Sequence, residues 1–292
     1  MNLKRFVPTI SRCLVVSLAA ITLYHAKFAG AAEPKSEPST YVRLVRDSSD
    51  RPVAFDTAVI RFAPADGRAT PTVDLVAAVH VADGKYYDEL NRRFRQYDAV
   101  LYELIAPAGT KIPEGKAVPS NNPVSFVQKM LRDVLELQFQ LERVQYNRPN
   151  MVHADMSPDE LARAMQDRGE SVWTIFLRMM VQSMAQQNPG GASDVQLLMA
   201  LFDRNRALAL KRIMAEQFQN LDGSVAAIGG TSLIEGRNAV ALRVLRQKLY
   251  EGKRKVAIFY GAGHMKDFEQ RLRKDFDLKP VKTEWLTAWE MR

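Results

Sequence analysis

Cysteine and histidine are both scarce: one cysteine (Cys13) and four histidines in 292 residues. Cys13 falls in an amino-terminal segment with the marks of a targeting signal, so the exported chain is expected to carry none. That excludes disulfides and thiol chemistry. A long apolar run is lacking as well. The stretch 13–24 (CLVVSLAAITLY) is too short to cross a bilayer comfortably. The HExxH, GxSxG, Walker A and GxGxxG patterns are all missing. Readings as a zinc-helix protease, serine hydrolase, ATPase or Rossmann dehydrogenase weaken accordingly.

Residues 1–32 have the order of a secretory signal peptide: Lys4, Arg5 and Arg12, then the apolar stretch, then Ala29-Gly30-Ala31-Ala32 for cleavage. Ile10-Ser11-Arg12 before Cys13 argues against a lipoprotein cleavage box. The chain is therefore expected to be exported, periplasmic or extracellular, with no membrane span after cleavage. Removing this region takes four basic residues with it, lowering the formal charge from +8 to +4. Its basic character is then partly a targeting feature and gives nucleic-acid binding little support. Residues 33–40 read as a linker. Residues 41–292 are long enough for one large α/β domain with a substantial core.

Two stretches of this domain resemble one another. Residues 73–104 run from VDLVAAVH through an amphipathic segment to AVLYEL. Residues 255–289 run from KVAIFYGAGH through a second such segment to VKTEWLTAW. Each reads as strand, helix, strand, so the expected fold is α/β. Two βαβ-like half-repeats would form one largely parallel central sheet with flanking helices. Residues 41–46 and 56–63 read as an antiparallel strand pair ahead of them. Between about 120 and 220, apolar residues recur at three- and four-residue spacing, Leu137 and Leu141 among them. This predicts a helical insertion of four or five helices, including a Met-rich stretch from Trp173 to Met184. Ser157-Pro158-Asp159-Glu160 is a helix start with a capping box. Gly229-Gly230-Thr231 opens another helix, running to about 250.

The repeat places His80 and His264 at matching strand ends, where open α/β sheets bind ligands. A single histidine at such a position is more often structural, but two equivalent ones suggest one shared site. Glu103, ending the buried run Leu101-Tyr102-Glu103-Leu104, needs a partner, a metal or a raised pKa. A core salt bridge to Arg237 is the plain reading. His80, Glu103 and His264 suit a divalent transition metal with open positions for water. The same trio suits metal-free water activation, with Arg237 and Asn238 holding a substrate carbonyl or carboxylate. His153, beside Asp155, reads as structural near a helix cap. Tyr86, Tyr87, Tyr102 and Tyr260 lie near strand ends and would suit haem ligation or stacking, Tyr102 and Tyr260 also substrate contact.

In these residues the chain resembles the TraB/PrgY/GumN–Tiki superfamily, with its paired GxxH motifs. Gly261-Ala262-Gly263-His264 stands intact, and the first motif keeps His80 but has Ala77 in place of glycine. Glu103 in Tyr102-Glu103-Leu104 matches the family glutamate. Glu235-Gly236-Arg237-Asn238 resembles the family's ERN segment with one residue inserted. The resemblance implies a hydrolase acting on a peptide or small ester, with His80, Glu103 and His264 at its centre and Arg237 assisting. Tiki-like members imply a divalent ion such as manganese, cobalt or zinc held by His80, Glu103 and His264. Esterase-like relatives imply none, and others imply a binding protein for haem or a hydrophobic peptide.

Overall fold

The computed structural model describes residues 41–107, 109–112, 137–171, 174–175, 196, 199–200, 202–219 and 230–292. The expected signal peptide and linker and most of the Met-rich segment lie outside them. In chain order the elements begin with β1 (Val42–Arg46), β2 (Pro52–Pro64), β3 (Thr72–Ala78), β4 (Val81–Ala82), helix α1 (Gly84–Phe94) and β5 (Ala99–Tyr102). Then come β6 (Gln138–Phe139), the single turn α2 (Gln140–Arg143), β7 (Met151–His153), α3 (Pro158–Asp167) and α4 (Arg206–Gln219). A π-helical turn (Ser232–Gly236) leads into α5 (Arg237–Tyr250). The chain then forms β8 (Lys255–Gly261), a 3₁₀ turn (Ala262–His264), α6 (Met265–Phe276) and β9 (Leu278–Glu290).

Four strands make the parallel centre of the sheet, in the order β3-β8-β5-β7. Beyond β3 the sheet turns antiparallel through β2, as the sequence pairing of β1 with β2 predicts. β9 occupies one edge of the long strand β2 along residues 54–64. A strand has only two edges, so β1 and β3 share the other, taking residues 52–57 and 59–62.

The near-continuous apolar character of the central strands follows from burial on both faces. Val76, Ala78, Val100, Tyr102, Ala257 and Phe259 meet Tyr86, Tyr87, Leu90 and Phe94 of α1 on one side. The alternate residues Leu75, Ala77, Leu101, Ile258 and Tyr260 pack on the other with Ala241, Leu242 and Leu245 of α5 and Phe268 and Leu272 of α6. The methyl of Ala77, where the family motif has glycine, is thus an ordinary core group.

Three sequence expectations change. β3 and β5 are not neighbours: β8, contributed late in the chain, runs between them. β9 does not join β8; it is displaced to the far edge of β2, because β8 already has both edges filled by β3 and β5. Residues 137–153 hold only one helical turn: Leu137 precedes β6, Leu141 lies in α2, and Met151–His153 extends the parallel sheet as β7. The described helical residues of the 120–220 region are that turn, α3, α4 and residues 174–175, 196 and 199–200.

Local signals hold where their chemistry is strong. The Glu160 N–H donates to Ser157 Oγ at 3.2 Å, and the Ser157 N–H donates to Glu160 Oε2 at 2.8 Å, closing the capping box of α3. Trp289 is fully buried against Phe55 and Phe218, and its indole N–H donates to the Val81 carbonyl at 2.8 Å. Trp289→Ala is expected to cost about 3–5 kcal/mol of folding stability, combining lost burial with a cavity. Urea unfolding of the variant beside the parent chain checks this.

Candidate functional site

Parallel strands end on the same side, and the chemistry-bearing residues follow those ends directly. His80 is two residues past β3, Glu103 one past β5, Asp155 two past β7, and His264 closes the turn after β8. The buried stripe of α5 runs Arg237, Asn238, Ala241, Leu242, Leu245, one continuous face at helical spacing. Its first turn is polar where the rest is apolar. That polar turn lies against the strand ends.

Arg237 is the hub. Its Nε donates to Asp155 Oδ1 at 2.9 Å and its Nη2 to Asp155 Oδ2 at 2.6 Å, a bidentate pair. The same Nη2 donates to Glu103 Oε1 at 2.6 Å. Asp155 has no side-chain exposure and Glu103 only 11 %. The other oxygen of Glu103 accepts the Gly261 N–H at 2.7 Å. A Cβ at Gly261 would stand 3.4 Å from that oxygen, so glycine gives the carboxylate close access to the backbone.

His264 is buried beside this cluster. Its Nδ1 lies 2.7 Å from Asn238 Oδ1. Asn238 Nδ2 donates to the His264 carbonyl at 3.1 Å and to Asp267 Oδ2 at 2.8 Å. With both acceptors on the nitrogen side, the amide oxygen faces the imidazole, so Nδ1 carries the proton. Nε2 is then a lone pair, 3.5 Å from Arg237 Nη1 and 3.6 Å from Glu103 Oε1. The ring packs edge-on against Tyr260.

Electrostatics follow from this packing. Burial pushes the His264 pKa down to about 4, and Arg237 pushes the same way, although Glu103 opposes it. The imidazole is neutral at pH 7. Burial alone would raise the pKa of Glu103, but His264 when protonated, Arg237 and the Gly261 N–H outweigh it and hold the carboxyl below its ordinary value. For Arg237 burial opposes the charge, and the Asp155 and Glu103 carboxylates more than restore it.

Most of the residues singled out from sequence are therefore brought together: Glu103, Arg237, Asn238 and His264. His80 is not in contact with them. It is exposed in the loop after β3, close enough that its charge bears on Glu103 and His264. Tyr102 packs against Tyr146 and His153, and the Tyr260 hydroxyl donates to the Ala154 carbonyl. The hydroxyls of Tyr86 and Tyr87 donate to the Ala77 and Val79 carbonyls. These commitments do not suit haem ligation. His153 is structural, its Nε2 against the Leu104 carbonyl at 2.6 Å.

Sequence reasoning weighed Asp155 only as a possible ligand pair with His153 near a helix cap, and did not join it to Glu103 and Arg237. Its signal was present: it follows a short β-type run, Met151-Val152-His153, as Glu103 and His264 follow theirs.

The inserted residue of the Glu235-Gly236-Arg237-Asn238 segment also has a structural place. A π-helical turn, which holds one residue more than an α-turn, occupies Ser232–Gly236 just before Arg237. Arg237 and Asn238 then start the inward stripe of α5.

No known protein family, characterised protein or solved structure matches this chain.

A metal at His80, Glu103 and His264 does not fit this arrangement. Both Glu103 oxygens already accept hydrogen bonds, and the Arg237 guanidinium stands against the carboxylate and beside Nε2, where a cation would be held. Among the described residues no three His, Cys, Asp or Glu side chains are placed to hold a metal ion.

The pKa of His264 has a consequence for stability. As pH falls from about 6.5 to about 4, the unfolded chain takes up a proton at this residue that the folded chain refuses. Stability is expected to decline by on the order of 2–3 kcal/mol across that window, and His264→Gln to flatten the decline. Melting temperature against pH is the check. Asp155→Ala, which strips the buried guanidinium of its bidentate partner, is expected to cost about 3–5 kcal/mol in urea unfolding.

Proposed function

We propose that the chain is an exported hydrolase of the TraB/Tiki-like kind that cuts an ester or peptide bond using its own side chains rather than a resident metal. The observation that carries this reading is the free base His264 Nε2 set 3.5 Å from a guanidinium nitrogen, Arg237 Nη1. Among the described residues Nη1 binds no carboxylate, unlike Nε and Nη2. A lone-pair acceptor and a charged donor side by side suit a water molecule about to attack a carbonyl carbon.

In this reading His264 Nε2 takes the proton of the attacking water. The imidazolium formed is stabilised by Glu103 Oε1, 3.6 Å away. Glu103 is not itself the base, because His264, Arg237 and the Gly261 N–H outweigh its burial and hold its carboxyl below the ordinary pKa. Arg237 Nη1 faces the charge that develops on the carbonyl oxygen, a contribution that is large where water is excluded. The proton then passes from His264 to the leaving alkoxide or amine. Asp155 holds the guanidinium fixed and aimed. His80, at the exposed rim, contacts substrate rather than the reacting water.

The alternative of a haem or hydrophobic-peptide binder draws no support from the tyrosines, whose hydroxyls are mostly committed to backbone carbonyls.

Purified protein is expected to hydrolyse an aryl acetate ester or a member of a peptide library. His264→Ala should lower kcat by about 10²–10⁴-fold, and His80→Ala should act mainly on KM. Full activity in a folded His264→Ala variant contradicts the proposal.

A further inference from the structure

Asn238 touches His264 directly, but one of the two hydrogen bonds its NH₂ donates goes beyond the site. Asn238 Nδ2 donates to Asp267 Oδ2 at 2.8 Å, and Asp267 Oδ1 accepts from Arg271 Nε at 3.0 Å. Arg271 in turn reaches the Glu235 carbonyl at 3.4 Å, at the π-helical turn. Asp267 and Arg271 lie four residues apart on α6, with side-chain exposures of 19 % and 26 %. Neither can touch a substrate held at Nε2, which is on the far side of the imidazole from Asn238.

An amide has one accepting and one donating end, and a half-turn exchanges them. If Asn238 turned over, its NH₂ would face Nδ1. The imidazole would then have to place its proton on Nε2, and the base would become a donor. The His264 carbonyl alone opposes that turn with one hydrogen bond. The Asp267 carboxylate opposes it with a second, charge-assisted one, against which an amide oxygen would be repelled.

We infer that Asp267 is a positioning residue which, through Asn238, locks His264 in the tautomer whose Nε2 lone pair faces Arg237 and Glu103. This rests on the reading of Nε2 as the base, but its first consequence is a protonation pattern measurable with no substrate at all.

The test is ¹⁵N-detected two-bond correlation spectroscopy of the full chain labelled at histidine, with His264→Gln used to assign the His264 signals. In the parent protein near pH 7, Nδ1 is expected to be protonated and Nε2 to show the shift of an unprotonated ring nitrogen. Asp267→Glu, which keeps a carboxylate able to accept from both Asn238 and Arg271, should preserve the pattern. Asp267→Ala should give a mixture of tautomers, and once a hydrolysed substrate is in hand, about a tenfold lower kcat with KM unchanged. A parent protein with the proton on Nε2, or a folded Asp267→Ala variant with unaltered shifts, overturns the inference. If the tautomer responds to Asp267 and no ester or peptide is turned over, the positioning role stands and the hydrolase reading fails.

Discussion

Two carboxylates brought to one buried sheet edge repel each other and lose their hydration, so a cation between them is a condition of folding. Arg237 meets that condition. It pairs bidentately with Asp155, shares a nitrogen with Glu103 and leaves its third nitrogen toward His264. One residue thereby ties together the ends of β5 and β7, the start of α5 and the turn after β8. The carboxylates, the tautomer-fixed imidazole and the π-helical turn can each be understood by what they do to that guanidinium or what it does to them.

The topology explains why these groups meet. The parallel order β3-β8-β5-β7 aligns four strand ends, and the face of the sheet shared with α5 and α6 is the one on which Glu103, Arg237 and His264 converge. Tyr260 and Phe268 wall the imidazole on its apolar side. The buried environment keeps His264 neutral, while Glu103 lies ready to stabilise the charged form once it is made. A weak base beside a fixed carboxylate is suited to gaining a proton briefly and giving it up again.

Much of this was legible in the sequence because the signals were local. Apolar runs ending at His80, Glu103 and His264 marked strand ends. Ser157, Pro158 and Glu160 marked a helix start. What was not legible depended on order in space. The insertion of β8 between β3 and β5 leaves no trace in either repeat, and the short run Met151–His153 has too few residues to separate strand from helix periodicity. The place of Asp155 beside Glu103 and Arg237 was not legible for that reason. Arg237 and Asn238 could have been placed on a buried face by continuing the 241, 242, 245 stripe backward one turn. His80 matched the repeat pattern yet ended exposed.

The central claim is that an arginine, rather than a metal ion, fills the cationic place between Glu103 and His264. It is tested most directly by a crystal structure of the full chain grown with excess manganese and recorded at the manganese absorption edge. The expected result is continuous density for the Arg237 guanidinium joining Asp155 to Glu103, with no anomalous peak within bonding distance of Glu103 or His264 Nε2. A peak bonded to both, with Arg237 swung away from Glu103, would contradict it.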